Sequence, residues 1–273
     1  MIRHLLISGA IASIAAVAPA QFNAGNPLPA AVTPTASWRI ELEDVVTIPD
    51  SDFASPRIEN LVHGGEPGLA YVIDQRGPIW QFDPTAPNPQ STLTEFFNVY
   101  DVVPNESSGN QEGLRGLAFH PDFNTPGAAG QGKFYTALSR QAFSPRFGTP
   151  GGQVFFPAPG SVDHDSILAE WTVDASGNVQ AGPYRHVVGF GQPFNDHNIG
   201  EIGFNPLSQP GDADYGLLYI GLGDGGNQFP ANPIDPFNTG SNLGTPLGSI
   251  VRIDPLQNGA DAYSIPSDNP FRV

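Results

Sequence analysis

The chain has 273 residues, a formal net charge of −16 from 11 Lys+Arg against 27 Asp+Glu, and 32 Gly with 29 Pro. So many helix breakers exclude a coiled coil or helical bundle, one lysine (Lys133) in so acidic a chain excludes a nucleic-acid binder, and 39% hydrophobic residues with 18 Phe exclude a disordered chain. A loop-rich, all-β protein with an acidic surface remains.

In chain order, Arg3 supplies a positive start, Leu5 to Val17 is apolar, and Ala18-Pro19-Ala20 offers small residues before Gln21. This layout predicts a signal peptide over residues 1–20 and a secreted or periplasmic protein. The apolar run is too short to anchor in a bilayer, and no later run is longer, so no membrane span is expected. Export permits disulfides, but there is no Cys, which leaves stability to the core and to any bound metal. Residues 21–36 read as a flexible Pro/Ala-rich lead-in, and 37–273 as the folded domain.

The segment 38–49 (WRIELEDVVTIP) reads as a strand without a hairpin partner, suited to closing a ring of sheets. Strands are then predicted at 57–62, 68–74, 77–83 and 93–100, at 114–119, 133–140, 166–174 and 183–190, and at 199–204, 217–224 and 248–255. Two of these sets share one pattern: a short strand ending in Phe-x-Pro, a Gly/Asp-rich connection, and a second strand with Tyr. The offset is 85 residues for Phe119 and Phe204 and 84 for Tyr135 and Tyr219, and a weaker copy precedes them. Antiparallel sheets repeated along a chain predict a β-propeller of about three blades here. A sandwich of the same strands is the rival, but leaves the repeat unexplained. Three blades alone would leave open edges, so the sequence is expected to be the N-terminal part of a larger protein or a truncated one. Insertions such as 141–162 are candidate functional loops.

In an antiparallel hairpin the start of one strand lies beside the end of the next. That places Asn195-Asp196-His197-Asn198 beside the 223–227 turn, Asn110-Gln111-Glu112 beside Ser139-Arg140, and Arg57 and Glu59 beside Asp74-Gln75-Arg76. All three clusters are expected at one mouth of the propeller, where a ligand would enter. His197 with Asp224 is the most chemical pair: a carboxylate can hold the imidazole in one tautomer, suited to taking a hydroxyl proton. A surface His beside a turn-forming Asp is the alternative. His120 reads as structural and His63 as a turn residue. Asp163-His164-Asp165 reads either as metal ligands or as a strand lead-in. Asp212, Asp214, Asp224, Asp235 and Asp254 offer oxygen ligands for calcium, though solvated Asx-turns account for each singly.

The segments NQEGLRGLAFHPDF (110–123), NDHNIGEIGF (195–204), LLYIGLGDGGNQ (217–228), NLGTPLGSIVRIDP (242–255) and YSIPSDNPF (263–271) together resemble the soluble glucose/sorbosone dehydrogenase family, from about residue 45 to the C-terminus. The resemblance implies a six-bladed β-propeller, of which this chain supplies roughly the first half. It also implies pyrroloquinoline quinone (PQQ) and calcium (Ca2+) as cofactors, a small-molecule sugar as substrate, and an external electron acceptor. His197 would be the general base and Asp224 its orienting partner, with Gln111, Asp196 and Asn227 on the cofactor. The chain departs from the family at Gly226, where an Arg is expected, and in the 229–241 loop, which does not match the calcium-binding loop. The basic residues that hold the acidic quinone would fall beyond Val273, so activity of this chain alone is left open. Two other readings stand beside the enzyme: a non-catalytic extracellular propeller module, and a propeller lactonase with an axial metal.

Overall fold

Short runs rich in β-branched and aromatic residues, cut apart by Gly and Pro, make this chain a set of hairpins. The computed structural model describes residues 43–50, 55–103, 109, 111–142, 154–180, 184–227 and 235–271; the predicted signal peptide and lead-in lie outside these residues. From Val45 onward the described residues belong to one unit, all-β apart from three single-turn 3-10 segments.

The first sheet joins β1 (Ile58–Val62), β2 (Ala70–Asp74), β3 (Pro78–Phe82) and β4 (Thr94–Asn98) in sequential antiparallel order. The second is built on β5 (Leu114–Phe119), β6 (Lys133–Gln141), β8 (His164–Thr172) and β9 (Arg185–Gln192), with β7 (Val154–Phe156) added parallel to β9 at its edge. The third holds β10 (Ile199–Phe204), β11 (Leu218–Leu222) and β12 (Ile250–Ile253).

Period-two alternation explains how the sheets pack. In the first sheet Tyr71 and Ile73 face a core shared with Leu117, Phe119, Phe134, Ile167 and Trp171 of the second. The alternate residues of the second sheet, Ala118, Tyr135, Ala137 and Leu168, face a second core with Ile199, Ile202, Leu218 and Ile220 of the third. The middle sheet is therefore buried on both faces, which is why β6 and β8 read as nearly unbroken buried runs. The outer face of the first sheet packs Ala70, Val72 and Phe82 against Ile48.

Two expectations change. The segment read as a strand at 38–49 is not one where it is described, over residues 43–49. The backbone of Thr47 meets the Gln90 side-chain amide, N–H to Oε1 at 2.6 Å and Nε2 to C=O at 3.2 Å, so no ladder forms there. Conversely, the insertion at 141–162 contributes β7, a three-residue strand.

The hairpin registers pair strand starts with strand ends, Ile58 with Asp74, Leu114 with Leu138 and Ile199 with Leu222. These ends also meet between sheets. Leu114 N–H donates to Gln75 C=O at 2.8 Å, Gln75 Nε2 donates to Glu112 C=O, and Gln111 N–H donates to Asn195 C=O at 3.4 Å. Arg115 pairs with Glu59 at 2.6 Å, and Asn60 donates to Glu201. The three polar strand ends thus converge on one side of the molecule.

Candidate functional site

His197 sits in the turn before β10 with φ +51°, a left-handed conformation uncommon for a bulky residue. Its backbone is gripped from two directions: its N–H donates to Gln111 Oε1 at 2.9 Å, and its C=O accepts from Gly225 N–H at 3.2 Å. The first bond crosses between sheets, so the second sheet helps to aim a residue of the third. Gly223 lies so close that a Cβ there would stand 2.1 Å from the His197 carbonyl oxygen, which only glycine tolerates.

His197 Nδ1 lies 2.8 Å from Asp224 Oδ1. An ionised carboxylate only accepts, so the bonded tautomer carries its proton on Nδ1 and leaves Nε2 as the acceptor. The imidazole is 38% exposed and Asp224 17% exposed, so the pair meets solvent with its carboxylate side sheltered. Asp224 Oδ1 also accepts from Gly226 N–H at 3.1 Å. The Asp224 carbonyl accepts from the Thr239 hydroxyl, whose backbone N–H donates to Asp235 at 2.9 Å. Thr239 is buried and escaped the sequence reading; the signal was the Asp-x-x-x-Thr-Gly run at 235–240, in which Asp235 caps both Thr239 and Gly240.

The other expected site residues assemble around this pair. Asp196 is 7% exposed, and its Oδ1 accepts from Asn227 N–H at 3.0 Å. It therefore holds the 224–227 turn in place. Asn227, at φ +68°, closes that turn. Gly226, at φ +86°, would direct a Cβ to 1.7 Å from Asp196 Oδ1. A side chain at 226 would therefore displace the Asp196 carboxylate. A cleft of about 360 Å3 runs beside the site along Asn198, Glu201, Gly223 and Ile250, but neither His197 nor Asp224 lines it, so its volume is not that of the reacting position. Burial pushes the Glu201 carboxyl above its ordinary range, against the Asn60 hydrogen bond that lowers it.

The remaining candidates separate. Asp212, Asp214, Asp235 and Asp254 bond to nearby backbone or side chains within their own loops, Gln209, Asn205 and Ser208, Thr239, and Leu256 respectively. They do not form a shared oxygen cage. His120 is packed edge-on to Phe204 at 5.3 Å, and its Nδ1 accepts from Asp122 N–H at 3.0 Å. Burial holds its pKa below the usual histidine value, with Asp122 pulling the other way. His63 lies in an exposed bend region. His164 opens β8 and is buried with Glu112 and Asp163 beside it, while Asp165 turns to Arg140 at 3.6 Å.

No protein-family profile matches the chain. It is 27% identical to the HIPL1 protein of Arabidopsis thaliana over 76% of this chain and 30% of that protein, and 24% identical to the HIPL2 protein of the same plant over 78% and 32%. Two solved structures are similar: an oxidoreductase (glucose dehydrogenase) from Thermus thermophilus, with TM-score 0.45 and 18% identity over 80% of this chain and 50% of that one, and a glucose dehydrogenase, with TM-score 0.47 and 16% identity over 79% and 51%. The chain spans about a third of the length of these curated relatives and about half of the solved structures. It is a distant homologue of the HIPL1 and HIPL2 proteins, structurally similar to glucose dehydrogenases.

Proposed function

We propose that this chain is part of an exported sugar dehydrogenase that oxidises an aldose at its anomeric carbon, with His197 as the general base. On this reading the three sheets are three blades of a six-bladed propeller, and residues 1–20 are the signal for export. The observation that carries the proposal is the 2.8 Å bond between His197 Nδ1 and Asp224 Oδ1 at the convergent ends of the sheets. In that role Nε2 is the atom that would accept the proton of a sugar hydroxyl. Asp224 keeps the ring in the accepting tautomer and stabilises the imidazolium that forms. Gln111 holds His197 by its backbone, and Asp196 holds the turn that carries Asn227.

The family resemblance implies PQQ with calcium as the electron acceptor. The described residues do not by themselves fit that triply acidic group. Asp196 and Asp224 bring negative charge, while of the cations at the converging strand ends Arg140 faces Asp165, Arg115 pairs with Glu59, Arg57 donates to Gln75 and Arg76 to the Ser55 carbonyl. Like charges at close range oppose binding. This same observation favours the second reading, a non-catalytic extracellular propeller module that binds a ligand or carbohydrate.

The deciding experiment is titration of the purified chain with PQQ and Ca2+, followed by aldose addition and reduction of an artificial acceptor. Turnover that is lost in His197→Ala supports the dehydrogenase. Failure to bind the quinone or reduce the acceptor, in folded preparations of both this chain and the complete propeller, assigns the module instead.

A further inference from the structure

We propose that Glu112, Asp163 and His164 form a binding site for one divalent first-row transition ion, such as Mn2+, Co2+ or Zn2+, distinct from the His197–Asp224 pair. The inference does not depend on sugar oxidation. Among the described residues this is the one group of three metal-ligating side chains whose ligand atoms all lie within 4.8 Å of one another.

The three ligands come from two segments, Glu112 and Asp163–His164, each fixed by backbone hydrogen bonds. Glu112 N–H donates to Gly109 C=O at 2.8 Å just before β5, and Asp163 N–H donates to Gln192 C=O at 2.8 Å just before β8. His164 is the first residue of β8, opposite Gln141 and Gln192. The carboxylates and the imidazole are therefore held by the packed second sheet rather than by one local loop, which lowers the cost of organising them around an ion. Glu112 and His164 are 7% and 1% exposed, whereas the Asp163 side chain is 46% exposed. The site is closed on the protein side and open to solvent on the other, which gives an ion a way in and leaves room for water ligands.

His164 Nδ1 points at both carboxylates, 3.1 Å from Asp163 Oδ1 and 3.9 Å from Glu112 Oε1. One N–H serves one acceptor well. An ion about 2.0–2.2 Å from each donor needs donor atoms about 3–3.5 Å apart, close to the spacing present. His164 is 1% exposed, and the nitrogen that it turns to both carboxylates is Nδ1. Asp165 points to the other side of β8, 3.6 Å from Arg140, so the carboxylates gathered at His164 are those of Glu112 and Asp163.

The donor set selects the kind of ion. Calcium takes six to eight oxygen ligands, while an imidazole nitrogen with two carboxylate oxygens suits borderline first-row ions. The site also touches the pair described above through the chain, because Glu112 follows Gln111, whose side chain holds His197.

The test is titration of the chelator-treated chain with Co2+ and with Mn2+, read by visible ligand-field absorption and by electron paramagnetic resonance. One saturable equivalent per chain is expected, with affinity at least tenfold weaker in Asp163→Asn, Glu112→Gln and His164→Gln. Asp163→Asn alters an exposed side chain, so it tests the site even where the buried variants fail to fold; a thermal melt verifies its fold. Absence of a saturable equivalent, unchanged affinity in Asp163→Asn, or saturation by Ca2+ but not Co2+ overturns the assignment.

Discussion

Gly226→Ala is a one-carbon test of how the 224–227 turn is built. Residues 225, 226 and 227 are all left-handed, with φ +87°, +86° and +68°. A Cβ at 226 would lie 1.7 Å from Asp196 Oδ1 and 2.7 Å from the Asp196 carbonyl oxygen, so the carboxylate must leave. Holding alanine left-handed costs about 1–2 kcal/mol. Losing the charged acceptor of Asn227 N–H costs about 1.5–3 kcal/mol more, and the reduced freedom of the unfolded chain returns about 0.4–1 kcal/mol. The net expectation is a loss of about 2–4 kcal/mol, read as a shift in the urea midpoint at unchanged slope. A double-mutant cycle with Asp196→Ala isolates the carboxylate's share, expected as a coupling of about 1.5–3 kcal/mol. Gly226→Ala within about 0.5 kcal/mol of the parent, the range of ordinary surface changes, would refute the reasoning, as would independent effects of the two substitutions.

Glu170 is 5% exposed and accepts from Lys133 Nζ at 2.7 Å, Tyr135 OH at 2.9 Å and Arg185 Nε at 3.0 Å; Glu170→Gln leaves two cations without their anion and is expected to cost about 3–5 kcal/mol by urea unfolding. Burial alone would raise its pKa, but Arg185 and Lys133 outweigh burial and hold it below the ordinary 4.5. The ionic part of the difference between parent and variant is therefore complete above pH 4.5 and shrinks as pH falls through the folded value. His120 has a pKa depressed from 6.5, chiefly by burial, so its stabilising contribution is full above that pH and is lost as pH falls toward the folded value; unfolding between about pH 7 and 5 should be less pH-dependent in His120→Gln than in the parent. Thr239→Val keeps the shape of a side chain 2% exposed but removes the hydroxyl that donates to Asp224 C=O; a loss of about 1–2 kcal/mol in thermal unfolding is expected, and an unchanged melting temperature removes Thr239 from the support of the pair.

The strands were legible where apolar runs end in Gly or Pro, because hairpin turns and burial both depend on those residues. The two exceptions have local causes. Residues 43–49 carry a strand-like alternation, but Gln90 meets their backbone with one side-chain amide, a partner no pattern announces. Val154–Phe156 is short and set inside a Gly/Pro-rich insertion, and it pairs parallel to β9, a choice made by tertiary packing. The His197–Asp224 contact was legible because antiparallel geometry alone places a strand start beside its partner's end. The bond from Asn227 N–H to the Asp196 carboxylate was not, because it depends on how closely Gly226 approaches. The Asp163-His164-Asp165 triplet is the lead-in to β8, one of its two readings, and it divides between two partners for a related reason. Successive strand residues point to opposite faces, so Asp165 goes to Arg140 and its place beside His164 is taken by Glu112, 52 positions from the imidazole in sequence.

His197 itself shows why such a site needs more than one sheet. Its left-handed backbone, at φ +51°, is costly, and strain of this kind persists where surrounding contacts over-determine it. Three contacts do so here: Gln111 from the second sheet on its N–H, Gly225 on its C=O, and Asp224 on its ring. Two of these belong to the turn after β11, and that turn is itself held by Asp196 and Thr239. The third crosses to a different sheet. A histidine that only filled a surface loop would relax by rotating its backbone and releasing Gln111. This one stays aimed because releasing it would loosen the contact between the second and third sheets as well. The orientation of the imidazole is therefore a property of two docked sheets rather than of residues 195–198, and a fragment carrying the third sheet alone would not reproduce it.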